Sequence, residues 1–150
     1  MVATSRIVRK TFVKVPTNIT GPTRVKVGFP AGKSDGEIIN RAIWNEFGTR
    51  GGGWGGPIPE RPFMRNAHRN NHRRYRQLMT TAAMSVVTGK ATLEQVLEKL
   101  GALAQGDIQM EITSLRTPPN SPVTVKLKGS SNPLIDTGAM RQAVTWEVVR

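Results

Sequence analysis

The chain has 150 residues, 37% of them apolar, which suits a single domain with a modest and mostly aliphatic core. It contains no cysteine, so disulfides and thiolate metal sites are excluded. Twenty-two Lys and Arg against 10 acidic residues give a formal net charge of +12. This charge indicates a polyanion or an acidic protein surface as a partner, although charge that only maintains solubility gives the same total.

The first elements predicted are two strands. Residues 6–15 are apolar, with interspersed basic and β-branched residues. In residues 23–29, Val25, Val27 and Phe29 alternate with basic side chains, the pattern of a half-buried strand. A segment rich in proline, threonine and glycine separates the two runs, so we expect an N-terminal antiparallel pair.

A first helix is predicted over residues 34–47. Ser34 and Glu37 have the spacing of a capping box, and Gly48 is a natural stop. Its apolar stripe is Ile38, Ile39, Ala42, Ile43 and Phe47. A glycine-rich loop of variable type follows at residues 48–57 and carries Trp54.

Two longer helices are predicted next. Pro62 opens the first, which runs to about Val87. Its expected buried side is Phe63, Ala67, Leu78, Met79, Ala82 and Val86. Thr92 and Gln95 form a capping pair that begins the second. Residues 105–115 fit either a strand or a further helix, and we favour a helix capped by Asp107.

Short elements complete the chain. Residues 117–122 break the pattern, and Ser121 or Asn120 is positioned to cap a short helix that starts at Pro122. One or two helical turns follow at residues 136–144, and alternation then predicts a C-terminal strand. The fold class expected is α+β: a single domain in which N-terminal strands and a C-terminal strand form an antiparallel sheet against several helices, one of them long and central.

The sequence contains few residue patterns that would support catalysis. His68 and His72 have the helical spacing of a metal pair, but the surrounding arginines would repel a cation, so we expect no metal. The acidic residues are scattered, and neither a nucleophile elbow nor a phosphate-binding glycine pattern is present. We therefore expect neither a cofactor nor an enzyme; a small nuclease that uses scattered acids is the catalytic alternative. No apolar run resembles a secretory signal or a membrane span, so no membrane partner is expected.

The second helix is strongly basic. Residues 61–76 contain six arginines, two histidines and no acidic residue. Arginines at three- and four-residue steps share a helix face, and the set is Arg65, Arg69, Arg73 and Arg76. Like charges at this spacing destabilise a helix, so this face is expected to meet DNA or an acidic protein surface. A solvated face whose arginines lie over nearby carbonyls and carboxylates is the alternative.

Three stretches together resemble a known family. They read AIWNEFGT, IPERPFMR and PPNSPVTVKLKGSSNPLIDTGAMRQAVTWEV, and they cover roughly residues 40–148. Their order and spacing are similar to those of the tail-completion or neck proteins of tailed bacteriophages, which include the HK97-type tail-completion and virion-morphogenesis proteins. The motif residues that carry over are Pro59, Arg61, Pro62, Phe63, Leu134, Asp136, Thr137 and Gly138.

The resemblance implies a structural virion protein rather than an enzyme. Such proteins form rings in the head–tail connector, with the connector or stopper, the tail terminator and the tail tube as neighbours. A hexamer is favoured from the symmetry of tails, and DNA in the channel is a non-specific partner. The expected location is the neck or tail of the virion, and the host cytoplasm during assembly. A basic nucleic-acid-binding module of another kind is the alternative function.

Each motif residue also has an expected physical role. Pro59 and Pro62 restrict the backbone before the second helix, and Phe63 would anchor its start in the core. Arg61 would bond Asp136 or a helix-end carbonyl. Asp136 would accept backbone N–H groups as an Asx turn or cap, and Gly138 would permit a tight bend. Maintenance of the fold and contact with a partner are both compatible with these roles.

Trp54 is expected to act between molecules. Glycines surround it, and ordering glycine is entropically costly, so the side chain is not expected in the monomer's own core. Aromatic residues are favoured anchors in interface pockets. We expect Trp54 to dock into a neighbouring subunit or ring; a loop that is disordered in every state is the alternative.

Overall fold

The computed structural model describes residues 19–51 and 56–150. The fold combines helices and strands, as predicted. Within these residues it has two strands and five helices: β1 (Arg24–Gly28), α1 (Gly36–Phe47), α2 (Phe63–Val87), α3 (Leu93–Ser114), α4 (Pro122–Lys128), α5 (Ala139–Gln142) and β2 (Thr145–Val149). The strand predicted at 6–15 and the site predicted at Trp54 lie outside the described residues.

The sheet joins the two ends of the described chain. β1 pairs antiparallel with β2, with Lys26 opposite Glu147 and Gly28 opposite Thr145. Lys26 and Lys33 both approach the Glu147 carboxylate, at 3.7 and 3.8 Å. The structure therefore has a strand within the predicted range 23–29 and one at the C-terminus, and these two pair with each other. The predicted N-terminal pair of residues 6–15 with residues 23–29 stays a prediction.

Helix α1 begins one residue later than the predicted cap. The N-cap is Asp35, whose carboxylate accepts the Glu37 N–H at 2.8 Å, so the predicted Ser34–Glu37 capping box is wrong. Ser34 instead donates from its hydroxyl to the Ala143 carbonyl at 3.3 Å. Asp35 takes the cap because its carboxylate reaches the first free N–H while Ser34 is bound elsewhere.

The end of α1 is fixed by a close approach of two backbones. Gly48 ends the helix as predicted, with φ of 71°. A Cβ there would lie 2.9 Å from the Ile58 carbonyl oxygen, so the position also needs a residue without a side chain. Thr49 donates its N–H to Ile58 at 2.8 Å, and the Thr49 hydroxyl accepts the Ile58 N–H at 3.1 Å. These two bonds join the ends of the glycine-rich loop.

Helix α3 is longer than the predicted segments suggested. Its capping box of Thr92 and Gln95 is confirmed, and the helix continues without a break to Ser114. The ambiguous segment at 105–115 is thus helical as favoured, but Asp107 lies inside the helix, so its predicted capping role is wrong. Ser121 caps α4 at Pro122, as predicted.

The core lies where α2, α3 and the approach to β2 meet. Phe63, Ile112 and Val144 are fully buried. The side chains packed with them are Ala42, Ala67, Ile108, Leu115, Leu134 and Met140, and Val96 and Leu97 of α3 are buried as well. Phe29 meets the Phe63 ring edge to face, with centroids 6.3 Å apart. The expected role of Phe63 as a core anchor is therefore confirmed.

The sheet packs on α3 through the indole ring of Trp146, which leaves no room for a side chain at Gly101. Gly101 is buried in α3, and a Cβ added there would lie 2.7 to 2.9 Å from indole atoms of Trp146. Gly106, one and a half turns further along, has open space at the same position. The indole thus lies directly against the helix backbone at Gly101.

We expect Gly101→Ala to lower the free energy of unfolding by about 1–3 kcal/mol, because the added methyl overlaps the Trp146 ring. Gly106→Ala, in the same helix, is the matched control. It should raise stability by up to about 1 kcal/mol through helix propensity alone. Chemical denaturation of both variants measures the difference, and an equal gain in the two would contradict the packing of Trp146 on α3.

Candidate interaction site

Three motif segments, the third of them distant in the sequence from the first two, meet around one arginine. Arg61 precedes α2 and is only 4% exposed. Its guanidinium donates four hydrogen bonds: from Nε to the Pro118 carbonyl at 2.8 Å, from Nη1 to Asn45 Oδ1 at 3.2 Å, and from Nη2 to the Pro119 carbonyl and Asn120 Oδ1, both at 3.1 Å. Its burial without a carboxylate partner among the described residues lowers the pKa of Arg61.

The predicted bond from Arg61 to Asp136 is wrong. The guanidinium finds all its acceptors on α1 and on the loop after α3, whereas Asp136 is exposed. The predicted helix-end carbonyl does accept from this residue, but through the main chain: the Arg61 N–H donates to the Asn45 carbonyl at 2.7 Å. Arg61 therefore joins the end of α1, the start of α2 and the loop at 118–120.

Asn132 performs the turn role that was predicted for Asp136. Its Oδ1 accepts the N–H groups of Leu134 and Ile135 at 3.0 and 3.1 Å, and its Nδ2 donates to the Thr113 carbonyl at 3.0 Å. The Asn120 amide donates to the Asn132 carbonyl at 3.4 Å, which connects this turn to the Arg61 network. The Asn132–Pro133 dipeptide is itself a turn signal in the sequence, although the turn role was predicted for Asp136.

The rest of the C-terminal motif follows the prediction in part. Leu134 is buried in the core, and Gly138 makes the expected bend with φ of 84°. The Thr137 hydroxyl accepts the Ala139 N–H at 3.3 Å, so Thr137 has part of the capping role expected of Asp136. We call the connected set of Asn45, Arg61, Asn120, Asn132 and Leu134 the motif cluster.

A buried glutamate joins α1 to the start of α2. Glu46 is 4% exposed, and its carboxylate accepts the Met64 N–H at 2.9 Å and the Arg65 N–H at 3.2 Å. It therefore supplies from another helix the cap that Pro62 cannot provide, at the end of α2 where the helix dipole favours negative charge. The predicted apolar stripe of α1 did not include Glu46.

Burial of Glu46 turns two predicted stripe residues outward. Ile43 and Phe47 are exposed, together with Trp44, and Phe47 is 65% exposed. We call Ile43, Trp44 and Phe47 the α1 patch. The Arg65 guanidinium lies 5.2 Å from the centre of the Phe47 ring.

The four predicted face arginines do not share one environment. Arg65 contacts the Glu46 carboxylate at 2.9 Å and the Glu60 carboxylate at 2.6 Å, and hydrogen bonds to these two glutamates raise the pKa of Arg65. Arg69, Arg73 and Arg76 are exposed and form no ion pair within the described residues. Arg65 is thus a structural contact of α1, and the other three are the accessible part of the face.

A small cavity of about 190 Å³ lies between α1, α4 and the loop before α5. Arg41, Lys128, Asp136 and Thr137 line it beside apolar side chains, which places the predicted Asp136 and Thr137 at its rim. Burial lowers the pKa of Lys128, whose ammonium donates to the Asn132 carbonyl at 3.3 Å. The cavity therefore adjoins the motif cluster.

The described residues include no group of three or more metal-ligating side chains. His68 and His72 are both exposed on α2, and the His72 Nδ1 lies 2.8 Å from the Arg69 carbonyl. In this part of the chain, no helix has the length and apolar character needed to cross a membrane.

Helices α2 and α3 are joined by a partly buried tyrosine hydroxyl. Tyr75 donates its O–H to Asp107 Oδ2 at 2.8 Å, and Arg74 contacts the other carboxylate oxygen at 3.2 Å. Burial first, and then the bond to Asp107, raise the pKa of Tyr75 well above its ordinary value. Asp107 therefore acts between helices rather than as a cap.

We expect Arg61→Lys to lower the free energy of unfolding by about 3 kcal/mol, because an ammonium cannot reach four separate acceptors and leaves partly buried oxygens unpaired. Arg141→Lys, at an exposed position, is the control and should change stability by less than about 0.5 kcal/mol. Urea denaturation of both variants tests this. Equal stabilities would show that Arg61 does not hold the three segments together.

We expect Tyr75 in the folded protein to ionise well above the ordinary tyrosine pKa of about 10. Because the pKa is raised on folding, its contribution to stability is complete below pH of about 10 and is lost as pH rises towards the folded-state value. Tyr75 is the single tyrosine of the chain, so tyrosinate absorbance reports it directly. Asp107→Asn should lower the Tyr75 pKa part of the way, since burial remains. Ionisation of Tyr75 in the folded wild type at the ordinary value would refute the bond between Tyr75 and Asp107.

Comparison with known proteins gives no relative: no family model matches the chain, and no curated protein or solved structure shows significant similarity to it.

Proposed function

We propose that the chain is a single-domain structural component of a phage head–tail connector, a ring-forming protein of the tail-completion or tail-terminator type. The observation that supports this most is the motif cluster. The third stretch on which the family resemblance rests begins more than 50 residues after the second, yet Arg61 and Asn132 connect all three stretches through direct hydrogen bonds. Motifs that meet in this way support a shared architecture rather than three chance matches.

The bonding of the motif cluster favours a structural role. The contacts of Arg61 are made to main-chain carbonyls and side-chain amides, which neither accept nor release protons near neutral pH. Such a network holds segments in fixed positions and rigidifies them. It fixes the end of α1, and therefore the position of the α1 patch.

The α1 patch is the surface that we propose for contact with a second copy of the chain. Contiguous exposed apolar side chains are typical of protein–protein contacts. A chain with a net charge of +12 repels its own copies over most of its surface. Beside the patch, however, Arg41 is paired with Glu37 and Arg65 with Glu60, which reduces the positive charge that an approaching copy meets there.

Contacts between different surfaces of identical chains close into a ring where the rotation permits. A ring of six in the virion neck or tail, assembled in the host cytoplasm beside the connector or stopper, the terminator and the tube, follows from the resemblance. DNA would then pass through the channel. Purified protein, alone and with tube-side or portal-side partners, is the material for the test.

We expect the double variant Trp44→Ser with Phe47→Ser to raise the concentration needed for half-maximal assembly by roughly tenfold or more, because central aromatic anchors contribute about 2 kcal/mol each. Light scattering and negative-stain microscopy measure the assembled fraction. Thermal unfolding should change little, because Phe47 is 65% and Trp44 46% exposed.

Met84→Ser with Met110→Ser is the matched control, since these side chains are 62% and 68% exposed on other helices. It should assemble as the wild type does. A wild-type protein that stays monomeric at all concentrations and joins neither partner would sink the proposed function. Assembly lost equally in both double variants would place the contact away from the α1 patch.

A further inference from the structure

We infer that the outward face of α2 binds the phosphate backbone of double-stranded nucleic acid without sequence preference. This face, which we call the α2 arginine face, consists of Arg69, Arg73 and Arg76 with the polar residues between them. The inference goes beyond the proposed structural role, because a single copy of the chain presents the whole face.

The charged side chains of α2 are all basic. The helix has 25 residues and contains no aspartate or glutamate. Two of its arginines are engaged within the fold: Arg65 with Glu46 and Glu60, and Arg74 with Asp107. The three that remain form no ion pair among the described residues and lie on the side of the helix away from Phe63 and Ala67. Neighbouring like charges destabilise the helix until an anion neutralises them.

The spacing of the three arginines suits contact with neighbouring phosphates. Arg69, Arg73 and Arg76 follow one another at steps of four and three residues, so they project from one side of a straight helix over about 10 Å. Each strand of a duplex carries one phosphate per about 3.4 Å of helix axis, so that length spans roughly three phosphates and allows several contacts at once. The Tyr75 hydroxyl donates to Asp107 Oδ2 at 2.8 Å and holds this part of α2 against α3. The three arginines therefore project from a helix that is already fixed in position before a ligand binds.

The polar character of the α2 arginine face favours a nucleic acid over an acidic protein as its ligand. Every exposed residue of α2 from His68 to Thr81 is basic or neutral and polar. A protein interface has an apolar or aromatic centre, and this part of α2 exposes none. Interfaces with nucleic acid are more polar and more positively charged, and their phosphate contacts come from arginine, asparagine and glutamine donors of the kind found here.

The test is duplex DNA binding measured by fluorescence polarisation over a series of salt concentrations, with two duplexes of unrelated sequence. We expect equal affinities for the two duplexes. The triple variant Arg69→Gln, Arg73→Gln, Arg76→Gln should weaken binding at least about tenfold at low salt and make the slope of log affinity against log salt shallower by roughly 2 to 3.

The matched control is Arg24→Gln, Arg141→Gln, Arg150→Gln, which removes the same three charges from exposed positions on other elements. It should lose much less affinity and retain most of the slope. Equal losses in the two triple variants would overturn the inference, because net charge alone would then explain binding. Binding to polyglutamate but not to the duplexes would also overturn it, in favour of an acidic protein partner. Circular dichroism confirms that each variant is folded.

Failure of this inference is separate from failure of the proposed function. The arginine variants leave the α1 patch intact and should assemble as the wild type does. The Trp44 and Phe47 variants leave the α2 arginine face intact and should bind duplex DNA as a monomer.

Discussion

A buried guanidinium, held by amide and carbonyl oxygens and without a carboxylate partner in residues 19–51 and 56–150, is the interaction on which the rest of this structure depends. Arg61 remains charged, and burying a charge is costly unless hydrogen bonds replace the water it loses. Two carbonyls and two side-chain amides make that replacement; three of these acceptors belong to the loop after α3, and the fourth is Asn45 of α1. The position of the loop after α3 therefore depends on Arg61 as much as on apolar packing.

Glu46 is the buried acidic residue that complements Arg61, and it binds the first turn of α2. The N-terminus of α2 starts after a proline and lacks a cap of its own, and a carboxylate from α1 satisfies it. Together Glu46 and Arg61 fix the angle between α1 and α2 with polar contacts. One consequence is that α1 turns apolar side chains to solvent, because the helix face that meets α2 must present a carboxylate.

Local signals in the sequence were sufficient for most elements. Alternation located β1 and β2, and the Thr92–Gln95 pair and Ser121 located the starts of α3 and α4. Prediction failed where partners came from distant segments. Glu46 looks like an ordinary polar residue of a helix, and only the packing of α2 reveals its burial. Asp136 and Asn132 both offer a turn-forming oxygen, and the choice between them depends on Thr113 and Asn120, which lie elsewhere in the chain. The motif cluster was predicted as separate motifs; their meeting at one arginine was not.

The bonds between Thr49 and Ile58 have a consequence for how this sequence can vary. They hold the backbone at Thr49 next to the backbone at Ile58, and neither bond involves the residues that connect these two positions. The free-energy cost of closing a longer connection rises only with the logarithm of its length. Insertions and deletions between these two residues are therefore nearly independent of the core. The domain can acquire new contacts at this point by gaining or losing sequence, while Arg61 and Glu46 stay in place.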